Sequence, residues 1–319
     1  MEVKYRIVSI DNIKVICIIL MVLCHFGFKN DIVIQFIYGF HMPSLFIISG
    51  YLYKRRDLKK ELYSFGIPII LYSLLSIMWM LYWHVWRTND ETINEFFCKL
   101  IPGFIFTNHG EFHTPFTGIW FIIGLLCTRL FFNWVNIEKY GAQISLICLL
   151  LTELNTKYGF SISLKECTLF KPIMIFPLFY GGYLLKKYNV VITRFVAILL
   201  FISYLAICWM NGRVDMYGGS YGTSYILAII GAFLLFISMY RLFCISFGNI
   251  VKTLSIGTFL ILGTHSLVFP LFVVFLNRYI HIKNVSVVLC VILFFVVIFP
   301  LIKYCNENYP IVLGKLSKK

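Results

Sequence analysis

Among the ionisable residues inside long apolar runs of this 319-residue chain, five stand out: Lys14 and His25 in the first run, His41 in the second, Arg129 in the fourth and His265 in the ninth. Such groups are costly in hydrocarbon, so each is a functional candidate by default. Lys14 and His25 are eleven residues apart. Eleven helical steps of about 100° return to within about 20° of the starting direction after a rise of about 16 Å, so both side chains share one helix face at opposite ends. A lysine there can hold an anionic donor or snorkel to the interface. A histidine, with an unperturbed pKa of about 6.5, can take a proton from a hydroxyl or sit as a neutral hydrogen-bonded group. Arg129 can steady a donor or a developing oxyanion, or pair with a carbonyl or with Glu153. Lys54, Arg55 and Arg56, just after the second run, can bind phosphate or simply mark the cytoplasmic side.

The elements that must position these groups follow from composition. The chain is 60% hydrophobic and 13% charged, about half the charged fraction of a soluble domain. That excludes a cytosolic enzyme and a secreted disulfide domain and leaves an integral membrane protein. Runs long enough to cross a bilayer lie at 13–28, 32–53, 65–86, 118–135, 141–156, 170–186, 192–210, 223–240, 254–277 and 283–304. No small-residue cleavage site follows the first run, so it is read as a retained helix and not a signal peptide. The expectation is an all-α polytopic integral membrane helical bundle of about ten transmembrane helices, a single domain over residues 1–319.

Net charge is +14. With alternating loops, eighteen basic residues fall on one side and nine on the other, with Arg129 inside a span. This bias puts both termini in the cytoplasm and explains the charge without a nucleic-acid partner. The ten cysteines contain no C-x-x-C pair and mostly lie in apolar runs; neither a metal site nor a disulfide framework is read from them, Cys98 and Cys167 being the pair that could face outside together. The long loop at 87–117 then lies outside and carries Asp90, Glu91, Glu95, His109, Glu111 and His113, with an apolar stretch at 101–106 suited to the interface or to re-entry. Pro43 is expected to bend the second span, and Ser49 and Gly50 to let another helix approach. No internal repeat is visible.

Arg6 through His25, with ten residues between Lys14 and the histidine, resembles the opening of the membrane acyltransferase family 3. Phe40-His41-Met42-Pro43 through Ser49-Gly50-Tyr51-Leu52 resembles its second signature, especially in the branch similar to fucose 4-O-acetylases. Gly118-Ile119-Trp120-Phe121-Ile122 looks like its Trp-Phe element, and Leu254-Ser255-Ile256-Gly257 to Leu262-Gly263-Thr264-His265 resembles its late helix ending in histidine. The matches follow the family's order over nearly the whole chain.

The resemblance implies transfer of an acyl group, usually acetyl from acetyl-CoA, to a hydroxyl of a cell-envelope polysaccharide or its lipid-linked precursor at the plasma membrane. In that setting His25 is the expected general base, with Lys14 as its catalytic companion. Lys14, Arg55, Arg56 and Arg129 are the expected donor-binding residues. His41, Glu111, His113, Trp120 and His265 are expected on the acceptor side, with the two intramembrane histidines orienting groups or relaying a proton. Ser49 and Cys24 are conceivable covalent carriers. No metal is expected. The same buried charges would also line the pathway of a transporter or flippase for a glycan, lipid or small metabolite.

Overall fold

A computed structural model describes residues 8–88, 90–107, 110–159, 167–277 and 283–316, with no side-chain description at 269–277 and 283. Lys4, Arg6 and His109 lie outside the described residues. The chain is a helical bundle: α1 (Val8–His25), α2 (Asp31–Tyr38), α3 (His41–Tyr51), α4 (Leu58–Leu81) continued by a π-helical turn (Tyr82–Arg87), α5 (Ile93–Gly103), α6 (Ile119–Trp134), α7 (Ile137–Tyr158), α8 (Lys171–Tyr188), α9 (Arg194–Asn211), α10 (Tyr225–Leu242), α11 (Gly248–Ile256), α12 (Thr258–Asn277) and α13 (Lys283–Asn308). A two-stranded hairpin, β1 (Val214–Asp215) and β2 (Ser220–Tyr221), sits between α9 and α10.

Among the described residues seven helical segments are long and apolar enough to cross a membrane, or eight if α11 and α12, bent by 78° at Gly257, form one broken span. Each of the ten expected runs falls on helix, but two do not qualify as spans. α6 is apolar over 16 residues, about 24 Å, short of a hydrocarbon core of about 30 Å. α7 carries Glu138, Lys139, Glu153 and Lys157 along its length.

α1 is the central helix, packed against α2, α3, α10, α11, α12 and α13. That position explains why so many of its residues, including Ile13, Cys17, Ile18 and Val22, are fully buried. α3 and α8 meet backbone to backbone. A Cβ at Gly50 would run into the Phe179 carbonyl, and one at Gly182 into the Ile47 carbonyl. Small residues facing each other let two helices approach this closely without a hydrophobic driving force in lipid.

The second span breaks at Gly39 and Phe40, upstream of the proline expected to bend it. Pro43 occupies the third residue of α3, where a missing N–H leaves no intrahelical acceptor unsatisfied. Proline therefore starts the second half of the span instead of kinking it. The segment at 87–117 also contains more helix than expected. Thr92 and Glu95 close a reciprocal capping box, which nucleates α5. Cys98 is exposed and Cys167 buried, both as free thiols.

Candidate active site

Two cavities flank α1. The first, with about 60 Å³ open to water, is lined by His25, Tyr38, His41, Thr117, Trp120, Phe121, Asp215, Tyr217 and His265 among others. His25 is the last residue of α1 and His41 the first of α3, while His265 lies within α12. Two helix ends and the interior of a third helix thus deliver three imidazoles to one place. The His25 and His265 ring centroids are 5.0 Å apart. His41 Nδ1 is 2.8 Å from the Ile37 carbonyl, and His265 Nδ1 is 3.1 Å from both the Ile261 and Leu262 carbonyls. A carbonyl only accepts, so each Nδ1 carries the proton and each Nε2 keeps its lone pair. His265 Nε2 is buried with no hydrogen-bond partner among the described residues. His25 itself is exposed to the cavity.

A roof covers this cavity. Asp215 Oδ1 accepts from the backbone N–H groups of Tyr217 and Gly218, both at 3.1 Å, which fixes the hairpin turn in the manner typical of aspartate. Lys171, fully buried, donates to the Met216 and Tyr217 carbonyls at 3.2 and 2.9 Å. Its ammonium also stands 5.8 Å from the Trp120 ring centre. The Tyr217 hydroxyl donates to the Thr107 carbonyl, and burial pushes the Tyr217 phenol above its ordinary range. Asn211, at the end of α9, donates to Tyr221 O and accepts from Thr223 Oγ1 and Ser224 N, tying down the hairpin's other side.

The second cavity, about 220 Å³, is lined by Lys14, Ser49, Arg56, Ser64, Phe65, Phe121, Arg129 and Phe259 among others. Lys14 Nζ donates to the Ser255 carbonyl at 2.8 Å. Arg129 is committed to Glu61: Nε donates to Oε2 at 3.0 Å and Nη2 to Oε1 at 2.6 Å. Glu61 is fully buried and Arg129 nearly so, and the guanidinium carbon also lies 5.3 Å from the Tyr53 ring centre and 5.7 Å from that of Phe65. This fork-on-fork arrangement is the geometry arginine makes with a carboxylate. Glu153, the acid considered for Arg129, instead accepts from Ser224 Oγ, the Ile226 N–H and Lys157. Arg129's charge is thus met by Glu61, and Lys14 and Arg56 are the other basic groups at the cavity wall. The Ser49 hydroxyl donates to the Leu45 carbonyl of its own helix at 2.8 Å.

The chain matches the acyltransferase family 3 model, an acyltransferase domain, from residue 7 to residue 305. It belongs to the membrane acyltransferase family 3. Neither a curated protein nor a solved structure matches it closely enough to be named as a relative. The protein is thus a multi-pass membrane acyltransferase, built as an all-α bundle.

Within this acyltransferase the structure divides the expected site residues into three sets. His25, His41, Trp120 and His265 share the first cavity, while Lys14, Arg56 and Arg129 share the second. Arg55 is exposed on the adjoining loop, and Glu111 and His113 stand outside both cavities. Proximity of 111 and 113 to a span end in the sequence did not translate into proximity to Trp120's cavity. His113 turns instead to Glu91 and His84. Tyr38, Asp215 and Tyr217 were not anticipated; for Asp215 and Tyr217 the signal was an acid and aromatic residues concentrated in a Gly-rich stretch, 211–224, between two apolar runs. Phe121 lines both cavities.

Proposed function

We propose that this acyltransferase takes an acetyl group from acetyl-CoA bound in the Lys14 cavity and transfers it to a sugar hydroxyl seated in the histidine cavity. The observation that carries the reading is that Lys14 and His25, on one face of α1, line two cavities that share Phe121 in their walls. With the amino terminus in the cytoplasm, as the basic-residue bias favours, the donor cavity opens inward and the acceptor cavity outward. The acceptor is then a polysaccharide of the cell envelope or its lipid-linked precursor, and the membrane is the plasma membrane. The larger cavity, with Lys14 and Arg56 at its wall, suits the phosphates of an acyl-CoA and directs the thioester arm along α1 toward Phe121. Trp120, Tyr38 and Tyr217 give the smaller cavity aromatic faces and hydroxyls suited to a sugar ring.

The chemistry follows from proton placement. A sugar hydroxyl is too weak an acid to attack a thioester unaided, so the His25 imidazole removes its proton as the oxygen bonds to the carbonyl carbon. The tetrahedral intermediate collapses with breakage of the carbon–sulfur bond, and CoA leaves as the thiol after taking the proton from the His25 imidazolium. His41 and His265, each with Nε2 as acceptor, orient the hydroxyl or share the proton. Direct transfer needs no enzyme nucleophile, and Ser49 and Cys24 have no part in it.

Membranes containing the protein, incubated with acetyl-labelled acetyl-CoA, should pass label to envelope glycan. His25→Ala should insert normally and abolish that transfer, whereas Lys14→Ala should raise the KM for acetyl-CoA with a smaller effect on kcat, the signature of lost ground-state binding. Transfer by His25→Ala at the wild-type rate would refute the base assignment, and an unchanged KM in Lys14→Ala would leave that lysine as an interfacial anchor.

A further inference from the structure

Away from both cavities, His84, Glu91 and His113 converge from three separate segments. One potential ligand atom from each lies within 4.8 Å of the other two. His84 belongs to the π-helical turn that ends α4, a wide turn that occurs mostly as a local insertion and frequently at functional sites. Asp90 N–H donates back to the His84 carbonyl at 2.9 Å, folding the chain so that Glu91 returns toward the histidine. His113 is held from the other side. Its N–H donates to the Lys99 carbonyl at 3.2 Å, its ring stacks on Phe96 with centroids 5.0 Å apart, and Gly103 lets its carbonyl approach where any Cβ would collide. The His84 and His113 ring centres are 4.8 Å apart.

Glu91 is shared between two donors: His113 Nε2 to Oε2 at 2.8 Å and Lys99 Nζ to Oε1 at 3.0 Å. Burial works to raise its carboxyl, but these hydrogen bonds more than offset it and hold the group below the usual carboxylate range. Glu91 thus has one oxygen engaged by lysine and the other facing an imidazole. Its side chain is 11% exposed and that of His113 15%, enough shelter to favour a defined ligand over bulk water.

We propose that His84, Glu91 and His113 bind a divalent transition-metal ion, zinc by the chemistry of the donors, as a clasp between the end of α4 and the outer segment around α5. Two imidazoles and one carboxylate form a recurrent zinc ligand set, with a fourth position left for water; a nitrogen-rich set disfavours magnesium and calcium. A half-buried His84 on its turn needs only a small swing to reach the ligand spacing of about 3.4 Å that a tetrahedral zinc imposes. The ion takes the place of the proton between His113 and Glu91, and Lys99 stays on the outer oxygen as the group that orients the carboxylate. The clasp adjoins the roof of the histidine cavity, because Thr114, next to His113, donates to the same Thr107 carbonyl that receives Tyr217.

The test uses the full-length protein purified in detergent, stripped with a chelator and titrated with zinc chloride against a fluorescent zinc indicator. One site is expected, with affinity falling at least about tenfold in Glu91→Gln and further in the His84→Gln/His113→Gln double variant. Cys98→Ser, an exposed thiol in the same outer segment, should leave affinity unchanged. Zinc should raise the thermal midpoint of the wild type and not that of the double variant, and His84→Gln alone, on a half-buried turn, serves if the double variant elutes as aggregate. No saturable binding, equal affinity in the histidine variants, or loss of binding only in Cys98→Ser would each overturn the proposal.

Discussion

The imidazole rings of His25 and His265 lie 5.0 Å apart between centroids, and the second ring spends its only proton on carbonyls of its own helix. Its Nε2 is a buried acceptor without a protein partner among the described residues. A buried unpaired acceptor is costly, so a group that must be filled by substrate or water during turnover is the natural reading. His265→Asn should lower acyl transfer by at least about tenfold, within the range found for positioned acid–base groups. The KM for acyl-CoA should stay unchanged, since under the proposed reaction that donor binds in the Lys14 cavity. Transfer within about twofold of wild type would reduce His265 to packing.

Glu61 and Arg129 lead to a prediction about stability. Removing one partner of a buried pair strands a charge and typically destabilises by about 3–5 kcal/mol, whereas replacing both by apolar groups of similar size is far milder. Arg129→Met and Glu61→Gln should therefore each lower the thermal midpoint in detergent, and the Glu61→Leu/Arg129→Met double variant should recover much of the loss. If the single variants melt with the wild type, the pair is not structural.

What could be read from the chain beforehand was what is local and periodic. The shared face of Lys14 and His25 depends on helical pitch within one apolar run, and helix is found at every expected run because hydropathy alone requires it. Glu61 and Arg129 are 68 residues apart with no pattern joining them, so only packing could show that the arginine is already paired. The roof over the histidine cavity depends on Lys171, Tyr217 and Thr107, three residues from separate segments. The break in the second span was misplaced for a related reason: proline is a strong breaker inside a helix but harmless in its first turn, and the register of α3 decides which case applies.

Helix α3 also offers a test of the bundle itself. Gly50 and Gly182 seat α3 and α8 on each other's carbonyls, and α3 carries His41 into one cavity and Ser49 into the other. Gly50→Ala and Gly182→Ala should each separate these helices and destabilise by about 1–3 kcal/mol, as overpacking does. Gly66→Ala in α4, where an added Cβ meets nothing within 4 Å, should be neutral. Equal melting of all three variants would show that the α3–α8 contact adapts freely.

Phe121 stands in the wall of both cavities, and its ring packs on Phe46 with centroids 4.7 Å apart. Under the proposed reaction the acyl group must pass this ring to reach His25, so the space beside it limits which acyl chains fit. Phe121→Ala would open a void continuous with both cavities, and one methylene of fit in an apolar pocket is worth only about 1–3 kcal/mol of discrimination. The expected result is a changed preference: transfer from butyryl-CoA should rise relative to acetyl-CoA by roughly tenfold or more, while acetyl transfer itself declines as the smaller group loses its contacts. Competition between the two donors in one membrane preparation measures that ratio directly. An unchanged ratio would mean that the acyl group does not travel past Phe121, and with it the path drawn along α1 from Lys14 to His25 would have to be abandoned.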